Sequence, residues 1–190
     1  FSKINISRMK TVQAHDLHFS LFLTEEDIQR RVQELGARLR AQYGDKRPVF
    51  LGVLNGSFMF AADLVRAFGA DCELSFIKLS SYRGLHSTGD VSTLIGLETD
   101  LQDRHVIIVE DIVDSGKTLY SLLPDLQRLQ PASVAIAALL QKPDMLEFPL
   151  EVQYVGFSIP PHFVIGYGLD YDGLGRQLPA IYQLIKNNED

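Results

Sequence analysis

The chain has 190 residues, 46% hydrophobic and 22% charged, with a net charge of −6. That composition suits one globular domain with a well-formed core, and its split into net +3 over residues 1–47 and net −9 over residues 48–190 argues against a nucleic-acid grip through a basic face. The single cysteine, Cys72, excludes an intrachain disulfide and fits a reducing, cytoplasmic setting; the longest uncharged apolar run, "ASVAIAALL" (132–140), is strand-sized and predicts no membrane span, and "FSKINISRMKTV" lacks the pattern of a secretory signal.

In chain order, residues 24–42 read as an amphipathic helix. Thr24 is placed to cap it, Glu25, Glu26 and Asp27 suit the positive end of its dipole, and Ile28, Val32, Leu35 and Leu39 share one face before Gly44. "RPVFLGVL" (47–54) is a buried strand, and "NGS" (55–57) turns into a second helix with Phe60, Ala61, Leu64, Val65 and Phe68 on one face, stopped by Gly69. "CELSFIKL" (72–79) is a strand in which Cys72 packs as a small apolar residue. "SSYRGLHSTGDVST" (80–93) is polar, carries two glycines and has no periodicity, so it reads as a long functional loop. "HVIIVE" (105–110) is the next strand. A helix follows over 117–130, kinked or restarted at Pro124, and then "SVAIAALL" (133–140) and "VQYVGFSI" (152–159) are strands. Strands that are continuous apolar runs, alternating with helices, predict a mostly parallel sheet flanked by helices. Ligands in such sheets bind beyond the carboxyl ends of the strands, where the loops after residues 54, 79, 110, 140 and 159 converge.

The chemistry concentrates in "HVIIVEDIVDSGKTL" (105–119). The nucleotide P-loop pattern fails, because Asp111 stands where its first glycine is required. The dinucleotide pattern fails as well, because Tyr171 stands at the third glycine position after Gly166 and Gly168. One reading is a plain acidic turn in which Ser115 or Asp114 caps the helix. That reading leaves Glu110 and Asp111 unexplained in a crevice where carboxylates need partners. A ligand with both kinds of group resolves the conflict. Amides of residues 115–118 at a helix start suit a phosphate, and the carboxylates just upstream suit sugar hydroxyls, which together describe a ribose phosphate.

This stretch closely resembles the phosphoribosyl-pyrophosphate motif of type I phosphoribosyltransferases. "VLNGSFMFAADLV" (53–65), "SSYRGLHSTGD" (80–90), "LLQKP" (139–143) and "VGFSIPPHFVIGYGLDY" (155–171) resemble the hypoxanthine-guanine branch of that family, in the same order. The resemblance implies a Rossmann-like α/β core over about 45–160, with a small hood from about 1–25 and 160–190, in a single domain. It implies transfer of the 5-phosphoribosyl group from phosphoribosyl pyrophosphate to hypoxanthine or guanine, giving IMP or GMP and pyrophosphate. By motif position, Glu110 and Asp111 hold the ribose hydroxyls. Asp114, Ser115, Gly116, Lys117 and Thr118 hold the 5-phosphate, and Asp114 also takes the proton at purine N7. Lys142 donates to the 6-oxo group, Phe163 stacks on the base and the Val164 backbone reads its edge, with Asp170 in the same purine-binding set. Leu54, Asn55 and Gly56, through their backbone, and Arg176 hold pyrophosphate. Mg²⁺ is the implied cofactor, with Glu110, Asp111 and Asp170 about it. Ser81 and Tyr82 belong to the 80–93 loop, which is expected to close as a lid that excludes water. A non-proline cis peptide is expected entering the 54–57 loop, and a homodimer or homotetramer is the expected assembly. Relatives usually carry Lys or Arg where this chain has Asn55, so backbone amides are left to serve there.

Read without the motifs, Lys142 and Arg176 are surface charges, Phe163 is core and Asp170 is a turn aspartate. His15 and His18 are three apart with no third ligand, and His105 and His162 have no partner visible in the sequence. Two other functions compete: a non-catalytic, RNA-binding regulator on the same fold, which the acidic charge disfavours, and a nucleotide kinase, which the failed P-loop pattern disfavours.

Overall fold

The computed structural model describes residues 10–79, 94–95, 97 and 99–185. The expected lid over 80–93, with Ser81 and Tyr82, lies outside the described residues. In chain order the elements are β1 (Thr11–Ala14), β2 (Leu17–Leu23), α1 (Glu25–Tyr43), β3 (Val49–Leu54), α2 (Phe58–Phe68), β4 (Glu73–Leu79) and β5 (Leu94–Ile95). Then come β6 (His105–Val113), α3 (Lys117–Arg128), β7 (Ser133–Gln141), β8 (Tyr154–Ser158), β9 (Val164–Ile165) and β10 (Ile181–Leu184).

The main sheet has the order β5-β4-β3-β6-β7-β8. All its pairings are parallel except β4 with the short β5. Alternate residues of the central strands face opposite sides. Phe50, Ile107, Val109, Ala135 and Ala137 pack with α1 and α2. Val49, Leu51, Val106, Ile108 and Ile136 pack with Leu119, Leu122 and Leu126 of α3. With both faces covered, the strands must be apolar throughout, which is the pattern the sequence carries. Helix α1 starts as expected: Thr24 Oγ1 accepts the Asp27 amide at 3.1 Å, and Ile28, Val32, Leu35 and Leu39 are fully buried. Cys72 is partly buried against the same core.

Two boundaries differ from expectation. Strand β6 does not end at Glu110 but runs to Val113. Its pairing with β3 stops at Val109, whereas β7 continues alongside through Val113. The ladder then reaches Lys142, whose amide donates to Val113 O at 2.9 Å. One neighbour is enough to keep Glu110 and Asp111 extended. Helix α3 passes through Pro124 as one helix and closes at Arg128, with three-residue turns from Leu129 and Gln130 back to Leu126 and Gln127.

A second, antiparallel sheet has the order β1-β2-β10-β9 and so draws on both ends of the described chain. Its own core holds Ala14, Phe19, Ile165, Leu178, Ala180 and Tyr182. No helix among the described residues is long and apolar enough to cross a membrane.

Candidate active site

Between β6 and α3 the chain turns through Asp114–Gly116. Neither Asp114 nor Ser115 is the helix cap. Gly116 holds that position with φ 80° and offers no side-chain cap, while Ser115 Oγ accepts the Lys117 amide at 3.3 Å. A helix start without a side-chain cap presents amides and the positive end of its dipole to an anion. A cavity of about 240 Å³ opens there, lined by Glu110 and residues 112–119. Ser115 O accepts the Glu147 and Phe148 amides at 3.0 and 3.2 Å, which braces the turn from outside.

Glu110 and Asp111 sit on the end of β6 past Val109; Glu110 lines this cavity, and Asp111 lines a smaller one beside it. Glu110 is 8% exposed and its Oε2 has no hydrogen-bond partner among the described residues. Burial, then the neighbouring Asp111, holds its carboxyl well above the usual range. An orphaned buried carboxyl oxygen in a crevice is an open request for a ligand hydrogen bond. Burial also raises Asp111 to about 6, although its Oδ1 accepts the Ile112 amide at 2.9 Å and Arg176 opposes the rise. The Asp111 carboxylate lies against Gly56, where a Cβ would fall 1.6 Å from Oδ2. Only glycine lets the 54–57 loop approach this acid. The Leu54–Asn55 peptide entering that loop is cis, as expected, and Asn55 is exposed.

These raised acids make stability depend on pH with a definite sign. Asp111 binds its proton more tightly when folded, so its favourable contribution is complete below about pH 4 and lost as pH rises through about 6. The expected loss is on the order of 2–3 kcal/mol. Urea unfolding of wild type and Asp111→Asn between pH 4 and 6.5 checks it. The variant should decline less steeply, and parallel profiles would reject the assignment.

A smaller cavity of about 110 Å³ adjoins the first and shares Ile112 and Asp114 with it; Lys142, Phe163, Val164 and Asp170 are among its other walls. Lys142 extends from the end of β7 and is 8% exposed. Its Nζ lies 2.8 Å from Asp114 Oδ1, a pairing that the separate sequence assignments did not contain. Phe163 is 43% exposed and meets Tyr171 edge-on at 5.8 Å. Val164 is buried in β9 opposite Gln183. Leu169 and Ile112 also line this cavity, and the sequence reading missed both because nothing separates them from core residues.

Arg176 and Asp170 are paired at 2.7 Å. Arg176 Nη1 also donates to Gly168 O at 2.6 Å, and Asp170 Oδ2 accepts the Gly173 amide at 2.7 Å. The expected pyrophosphate cation and the expected metal-side carboxylate are therefore bonded to each other. The described residues hold no cluster of three or more His, Cys, Asp or Glu arranged for a metal. His15 instead meets the Asp172 carbonyl at 3.1 Å, His105 has Ser133 Oγ at 2.7 Å, and His162 has Gln183 Oε1 at 2.7 Å.

Known proteins match this geometry closely. A sequence model of the phosphoribosyl transferase domain matches residues 22–172. The chain is 42% identical over 172 residues to the hypoxanthine phosphoribosyltransferase of Escherichia coli strain K12, covering 89% of this chain and 97% of that one. It is 42% identical over 163 residues to the hypoxanthine-guanine phosphoribosyltransferase of Staphylococcus epidermidis, covering 85% and 91%. The crystal structure of a hypoxanthine phosphoribosyltransferase from Staphylococcus aureus superposes with a TM-score of 0.82 at 42% identity, over 93% of this chain and 98% of that one. A parallel sheet whose carboxyl end carries an uncapped glycine turn, two raised acids and a lysine–aspartate pair thus sits in a chain with clear relatives: the chain belongs to the phosphoribosyl transferase family, in its hypoxanthine(-guanine) phosphoribosyltransferase branch.

Proposed function

We propose that the protein transfers the 5-phosphoribosyl group of phosphoribosyl pyrophosphate to hypoxanthine or guanine, yielding IMP or GMP and pyrophosphate. The observation that carries this reading is the Lys142–Asp114 pair at the junction of the two cavities. The 6-oxo group and N7 are neighbours on one edge of a 6-oxopurine. A fixed ammonium and a fixed carboxylate side by side offer that edge a donor for the oxygen and an acceptor for the N7 proton.

In this reading the amides of Ser115–Thr118 hold the 5-phosphate, and Glu110 and Asp111 hold the ribose hydroxyls. Phe163 stacks on the base, and Val164 presents backbone to its edge. Asp114 takes the N7 proton as the base attacks the anomeric carbon. Arg176, with the backbone of Leu54, Asn55 and Gly56, holds the pyrophosphate. Glu110, Asp111 and Asp170 are not grouped as a metal site by themselves among the described residues, so they would hold Mg²⁺ only together with the substrate's phosphates, as this ion is commonly bound, with the unclaimed Glu110 oxygen free to contribute. Bound there, Mg²⁺ supplies charge neutralisation of the leaving group. The same reading makes the chain one cytoplasmic phosphoribosyltransferase domain, its hood built from the described parts of the two end segments, 10–25 and 160–185, assembled as a homodimer or homotetramer.

Incubating the protein with phosphoribosyl pyrophosphate, Mg²⁺ and each purine base tests the proposal. IMP and GMP should form with release of pyrophosphate. Absence of both nucleotides would reject it.

A further inference from the structure

Tyr167 has no part in the chemistry above, yet its setting is unusual for a turn residue. It holds a φ of 49°, a conformation uncommon for residues with a side chain. It is 1% exposed, and its ring enters the core shared by α1, α2 and the main sheet. Its hydroxyl donates to Asp63 Oδ2, on α2, at 2.6 Å. Gln29 Nε2, on α1, donates to the same oxygen at 2.9 Å. Arg66 lies 3.8 Å from the other. Burial, then Asp63, pushes the phenol well above its ordinary range, which keeps it a donor.

The next residue in the chain is where the turn touches the substrate side. A Cβ on Gly168 would fall 2.1 Å from Gly56 O, so the two backbones abut. Gly168 O accepts from Arg176, and its amide donates to Arg176 O at 3.0 Å. Asp170 follows two residues later. Helix α2, which carries Asp63, begins directly after the 54–57 loop. The Tyr167–Asp63 bond therefore ties the body that carries Gly56 to the turn that carries Asp170 and grips Arg176.

We propose that Tyr167 is a positioning residue for the pyrophosphate side of the site: its hydroxyl, held by Asp63, fixes the 166–170 turn against the 54–57 loop and so sets where Arg176 and Asp170 meet the diphosphate. This rests on the phosphoribosyl-transfer reading. A 1 Å displacement of a positioning group is enough to be felt in kinetics.

The test uses Tyr167→Phe, which keeps the ring and loses only the hydroxyl. KM for phosphoribosyl pyrophosphate should rise about five- to twentyfold while KM for hypoxanthine stays within about twofold. Amides of residues 166–170 should exchange about tenfold faster than in wild type. Asp63→Leu should reproduce both effects. Asp63→Asn keeps an acceptor oxygen and should stay within about threefold of wild type in both KM values. An unchanged KM for phosphoribosyl pyrophosphate with lowered Tm makes Tyr167 merely structural and overturns the proposal. So does an equal rise in both KM values, and so does unchanged exchange. If the wild type itself forms no nucleotide, the transfer reading fails, and the exchange comparison alone decides the tie.

Discussion

Asp114→Asn is expected to lower turnover by about 10²–10⁴-fold while both substrates still bind. Asp114 is the one carboxylate in the turn between β6 and α3, and it stands at the junction of the two cavities. It is half-exposed, so a proton it accepts has a way out to solvent. The asparagine is nearly isosteric, and its amide oxygen can still accept from Lys142, so the buried ammonium is not stranded. It cannot accept a proton. Steady-state kinetics with hypoxanthine check this: kcat should fall, with both KM values within about tenfold of wild type. Near-wild-type turnover would remove Asp114 from the proton transfer. Loss of binding with kcat intact would make it a ligand-holding group only.

The second large effect is rejection of adenine. Lys142 has donors and no acceptor, and at 8% exposure its ammonium has little water to fall back on. A 6-oxo group accepts from it. A 6-amino group would point donors at it, so the base would give the ammonium no acceptor and leave it only its pair with Asp114. Asp114, 2.8 Å away, cannot turn to serve both the amino group and N7. Sites built on such a polar match discriminate by up to about 10⁴–10⁵-fold, far beyond what shape alone gives. Phe163 adds no selectivity, because stacking is nearly indifferent to exocyclic groups. The measurement is kcat/KM for hypoxanthine, guanine and adenine on wild type and Lys142→Ala. Adenine within about tenfold of hypoxanthine on wild type would sink the assignment. An unchanged preference in Lys142→Ala would move selectivity to the Val164 backbone.

The elements that the sequence made legible share one property: two-sided burial or a strong period. Strands β3, β6 and β7 are apolar runs covered on both faces, and the Thr24 cap and the Ile28–Leu39 stripe announce α1. Strands β1 and β2 went unread, because within "TVQAHDLHFSLFL" β1 rests on β2 alone among the described strands, and β2 is held in turn by β10, more than 150 residues away. The end of β6 was misplaced for a related reason: the acids at 110 and 111 look like a loop until β7 is seen to run past them. Within the site, residue identities were legible from motif order. Pairings were not, since Lys142–Asp114 and Arg176–Asp170 depend on chain crossings that spacing does not encode.

The overhang of β6 is a cantilever. Past Val109 it has lost β3 and leans on β7 alone, through Glu110 opposite Ala138, Ile112 opposite Leu140 and Val113 opposite Gln141. The last rung of that arm is the Lys142 amide on Val113 O. Glu110, Asp111 and Lys142 are thus mounted on one stiff ladder, in which β7 is itself backed by β8 from Ala137 to Gln141. Its pitch, a repeat of backbone hydrogen bonds that no side chain can retune, gauges how far Lys142 stands from Glu110 and Asp111. A bulge inserted in β7 would shift the lysine against the acids by a whole residue step, whereas side-chain changes on the flanking helices leave that gauge untouched.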